Sequence, residues 1–97
     1  MTKSIITLLK PILKDDNHPL WLSIEHTFNS FTPTSSQKYS YADYYKMLRM
    51  HLVENKSWGD IGISLGMSYN TGMVVLPKRI NRYLNLCNDV CEYIANN

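Results

Sequence analysis

Ninety-seven residues, 44 % hydrophobic and 19 % charged, suffice for one globular domain with one modest core. This composition excludes a chain disordered throughout, and the length excludes a deep cleft between two lobes. The net charge is only +2, but it is unevenly spread. Residues 1–37 are balanced, residues 38–82 carry seven Lys and Arg against three Asp and Glu, and residues 83–97 carry only Asp89 and Glu92.

No apolar run approaches the ~20 residues of a membrane span. Residues 5–9, followed by Lys10-Pro11, lack the length and cleavage site of a signal peptide. The expected compartment is the cytoplasm, where Cys87 and Cys91 remain free thiols.

Helix breakers divide the chain. Residues 4–14 form a short apolar helix that Pro11 kinks or stops early. Asp15-Asp16-Asn17-His18 is a turn, and Pro19 opens a second helix, where a missing N–H costs nothing. Leu20, Trp21, Ile24, Phe28 and Phe31 follow at helical spacing. Residues 32–39, rich in Pro, Ser and Thr, form the one long linker and separate an N-terminal helical arm (1–37) from the rest of the chain.

Ser40 starts a third helix with Asp43 three residues on, a capping-box pair. Tyr41, Tyr44, Tyr45, Leu48 and Leu52 share one face, with Met47 at its edge, and the helix ends near Asn55. Ser57 and Asp60 repeat the start signal for a short helix over 58–65, which Gly66 stops. Ser68 caps a helix over 69–76, and Pro77 breaks or restarts it. Only Met73-Val74-Val75-Leu76 offers a strand instead. A last helix over 78–94 places Ile80, Tyr83, Leu84, Cys87, Val90, Cys91 and Ile94 on one stripe. The fold class is all-α: a tri-helical unit over 40–84, flanked by the N-terminal arm and a C-terminal amphipathic helix over 78–95.

Residues 58–75 resemble a helix-turn-helix of DNA-binding proteins. Ile61 and Leu65 point into the small core, and Gly62 is the small residue where two helices cross. Gly66 makes the turn, Met67 plugs the core after it, Ser68 caps the second helix and Val75 returns to the core. Gly72 departs from the pattern, since a branched apolar residue is usual there and glycine inside a helix costs about 1 kcal/mol. The resemblance implies that the second helix enters the major groove of double-stranded DNA. It nominates Ser68, Tyr69, Asn70, Thr71 and Met73 for base edges, and Lys56, Lys78, Arg79 and Arg82 for phosphates.

Other residues have plainer readings. Cys87 and Cys91 lack a histidine at ligand spacing and read as structural cysteines, so no metal and no cofactor is expected. Tyr41, Tyr44 and Tyr45 sit at core spacing with their hydroxyls at the rim. No phosphate loop, nucleophile pair or metal motif supports an enzyme. The C-terminal stripe fits a heptad seam, so Ile80, Tyr83, Leu84, Cys87, Val90, Cys91 and Ile94 are the expected homodimer interface; the alternative is a monomer in which this helix folds back on the Tyr41 helix. The functional expectation is a small transcriptional regulator. The alternative is a helical adaptor or anti-repressor that binds a protein partner through residues 73–76 and the terminal helices.

Overall fold

Helix starts in this chain are set by side chains that take up N–H groups lacking an intrahelical acceptor. Ser4 Oγ accepts from the Thr7 amide, Ser57 Oγ from Asp60 and Ser68 Oγ from Thr71, each at 3.1 Å. At Ser40 the exchange is reciprocal, since Asp43 also accepts from the Ser40 amide. Near Pro19 the Leu20 amide donates to the His18 ring. The computed structural model describes residues 4–33 and 38–96. Among them are six helices and no strand: α1 (Ile5–Leu13), α2 (Leu20–Ser30), α3 (Tyr41–Leu52), α4 (Trp58–Ser64), α5 (Tyr69–Leu84) and α6 (Asn88–Ala95). Part of the expected linker, residues 34–37, lies outside the described residues.

Two prolines fail to end their helices. α1 runs through Pro11, and α5 runs through Pro77 as one 16-residue helix. A proline inside a helix removes one hydrogen bond and costs about 3 kcal/mol. Burial offsets it here, because Leu76, Ile80 and Leu84 form one fully buried stripe along α5. The continuous helix expected over 78–94 is instead two elements. The chain turns at residues 85–87, and Cys87, in extended conformation, begins α6.

A single core joins all six helices. α1 and α2, read from sequence as an arm, contribute Ile6, Leu9, Leu13, Leu20, Trp21, Ile24 and Phe28 to it. α1 is also tied to α5 by the Ile6 amide, which donates to Asn81 Oδ1. Tyr83 lies at the centre of an aromatic group. Its ring centroid is 5.0 to 6.0 Å from those of Tyr41, Tyr44, Phe28 and Phe31. Burial pushes the Tyr83 phenol above its ordinary pKa, with Tyr44 and Tyr41 adding to the shift. Arg49 on α3 lies over the Trp21 ring, bonds the Tyr45 hydroxyl and pairs with Asp16, so it fastens α3 to the turn before α2.

Candidate nucleic-acid interface

α4 and α5 are joined by the four residues 65–68. Gly66 has φ +86, a conformation glycine adopts without steric cost. The Met67 amide closes the turn on the Gly62 carbonyl at 2.9 Å, and the Tyr39 hydroxyl donates to the Leu65 carbonyl from outside. The helices then cross backbone to backbone. A Cβ on Gly62 would lie 2.8 Å from Gly72 Cα. A Cβ on Gly72 would lie 2.7 Å from the Trp58 carbonyl oxygen and 3.0 Å from Gly62 Cα. Gly72, a departure from the expected pattern in sequence, is therefore half of the crossing contact.

This crossing leaves the start of α5 facing outward. Ser68, Tyr69, Asn70 and Thr71 are all exposed, as are Met73 and Val74. They are not equivalent. Ser68 Oγ is engaged with the Thr71 amide and hydroxyl. The Tyr69 ring lies against Gly59 on α4. Asn70 has no side-chain hydrogen bond among the described residues. Thr71, Val74, Lys78 and Arg82 recur at helical spacing along one outward ridge.

The structure brings three of the four expected phosphate residues together. Lys78, Arg79 and Arg82 line one groove of about 290 Å³ with Val74 and Val75. Arg79 Nη1 donates to the buried Tyr44 hydroxyl at 2.9 Å, which favours its charged form and holds the guanidinium against α3. Lys56 does not line this groove and pairs with Glu54 at 3.5 Å. Sequence reasoning missed two supporting residues, Tyr44 as the anchor of Arg79 and Gly59 as the seat of Tyr69. Both depend on which helices meet, and no local spacing announces that.

Charge is segregated by helix. α2 and α6 carry Glu25, Asp89 and Glu92 and no Lys or Arg. Two shallow depressions along their seam are lined by Asp89, Glu92, His18 and His26 together with the exposed Leu22 and Leu86. None of these acids forms an ion pair among the described residues.

The stripe expected as a dimer seam is absorbed by the chain's own core. Ile80, Leu84 and Val90 have no exposed surface and Cys87 has 1 %. Tyr83, packed in the aromatic group, keeps part of its surface, as do Cys91 and Ile94. The heptad geometry fails because the stripe is interrupted by the turn at residues 85–87. Among the described residues, no three His, Cys, Asp or Glu converge as metal ligands, and no helix is long and apolar enough to cross a membrane. Compared with known proteins, the chain matches no protein-family model, no curated protein and no solved structure.

Proposed function

We propose that this chain is a non-catalytic, cytoplasmic binder of double-stranded DNA that regulates transcription by laying the first half of α5 in the major groove. The observation that carries this reading is the layout of α5. Its start presents Ser68, Tyr69, Asn70, Thr71, Met73 and Val74 outward, and Lys78, Arg79 and Arg82 follow on the same rod. A helix reads bases with its exposed N-terminal residues while nearby cations hold phosphates. Asn70 offers the amide that pairs with adenine, and the α5 groove offers the counter-charge for the backbone.

Binding to labelled genomic fragments, titrated at two salt concentrations, tests the reading. Affinity should fall steeply as salt rises. Asn70→Ala should relax sequence preference and cost about 1–3 kcal/mol at the selected site. Absence of binding to every fragment at low salt would overturn it.

The apolar exposure on the same helix favours one other reading. Tyr69, Met73 and Val74 are 46 %, 43 % and 65 % exposed, a surface that also suits a protein partner of an adaptor or anti-repressor. A homodimer on a two-fold site would have to pair through a face other than the buried stripe, and sedimentation of the DNA-bound and free protein reads this directly.

A further inference from the structure

We propose that Gly59 fixes the direction of Tyr69, and that Tyr69 so held packs on the methyl group of a thymine. This rests on the DNA reading above. Tyr69 is the first residue of α5, where a large side chain beside solvent is ordinarily free to turn. Here its ring lies on the α4 backbone. A Cβ on Gly59 would fall 2.2 to 2.5 Å from Cε2, Cδ2 and Cζ of Tyr69, so this ring position requires glycine at 59.

The other two crossing glycines make room for backbone. At Gly59 the nearest atoms all belong to the Tyr69 ring. Glycine within a helix costs about 1 kcal/mol, and what it secures in α4 is the placement of one side chain that remains half exposed. Two torsions define that side chain, so fixing it costs little entropy. A flat apolar ring at the start of a reading helix matches one base feature of the major groove, the C5 methyl of thymine.

The experiment has two arms. Without DNA, Gly59→Ala should keep the wild-type melting temperature within a few degrees, since only a side chain must move, while the Tyr69 ring resonances shift. With DNA, each dT of a bound fragment is replaced singly by dU, which removes the methyl and nothing else. Wild type should lose about fourfold affinity at one position, the worth of one buried methyl. Tyr69→Ala should bind the fragment more weakly and Gly59→Ala should keep its salt-dependent binding, and both should be insensitive to that replacement. Unshifted ring resonances in Gly59→Ala would refute the seat. A fragment with no dU-sensitive position, or one equally sensitive in all three proteins, would refute the thymine contact. Failure of wild type to bind any fragment removes the DNA reading and the thymine contact with it, and leaves the ring-shift result to decide the role of Gly59.

Discussion

Replacing Gly72 with alanine sets two effects against each other. Helix propensity alone favours alanine by about 1 kcal/mol at an interior position. The added Cβ, however, would sit 2.7 Å from the Trp58 carbonyl oxygen and 3.0 Å from Gly62 Cα. Both are backbone atoms, so no rotamer change relieves the clash and α4 must move away from α5. Overpacking of this kind costs about 1–3 kcal/mol, and two backbone clashes place it near the upper end. The net expectation is a loss of about 2 kcal/mol, which lowers the melting temperature by about 8–16 °C in a domain of this size. Thermal unfolding followed by circular dichroism measures it, with Gly62→Ala as a companion that should behave likewise. A Gly72→Ala protein that melts at or above the wild-type temperature would refute the backbone crossing.

The remaining expectations concern charge, the turn and pH. Lys78→Ala and Arg82→Ala should each weaken binding to all DNA sequences alike and lower the salt slope by about one, read from titrations at several salt concentrations. At Gly66 a new side chain meets no atom within 4 Å but must adopt φ +86. Gly66→Val should therefore destabilise the domain by more than about 1 kcal/mol, and Gly66→Asn by less, since asparagine tolerates the left-handed region. The His51 ring stacks on Trp58 and bonds the Lys56 carbonyl. Burial holds its pKa below the ordinary histidine value; the Lys56 bond opposes the shift and Lys10 adds to it. The unfolded chain thus takes up a proton more readily than the folded one. The stability owed to His51 is complete above about pH 6.5 and is lost as pH falls toward the folded pKa. Melting temperatures of His51→Gln should depend less on pH across that window than those of wild type.

Much of the helical pattern was legible because its signals are local. The Ser40 and Asp43 exchange, the Ser57 and Ser68 caps and the Gly66 turn each lie within four residues and fall where the spacing placed them. Pro77 misled because its local cost is outweighed by the buried stripe of Leu76, Ile80 and Leu84, a tertiary effect. The turn after Leu84 was hidden because Cys87 and Val90 continue the apolar spacing across it and face the same core from a second helix. At the candidate site, exposure of residues 68–71 followed from the cap and the crossing. The Arg79–Tyr44 bond spans 35 residues and leaves no trace in periodicity. Gly72 shows the same limit: propensity counts its cost, and only the helix it meets supplies the reason for it.

The segregation of charge has a consequence for how the molecule approaches a partner. A net charge of +2 is too small to draw the chain toward a polyanion from every side. The groove of Lys78, Arg79 and Arg82 is attracted, however, while the seam carrying Asp89 and Glu92 is repelled. On the DNA reading proposed above, this difference in charge between the two surfaces favours encounters in which α5 leads. Its effect lies in the association rate, within the Debye length of about 10 Å at 0.1 M salt. Reversing Asp89 and Glu92 to lysine would raise the net charge by four yet remove this orientation.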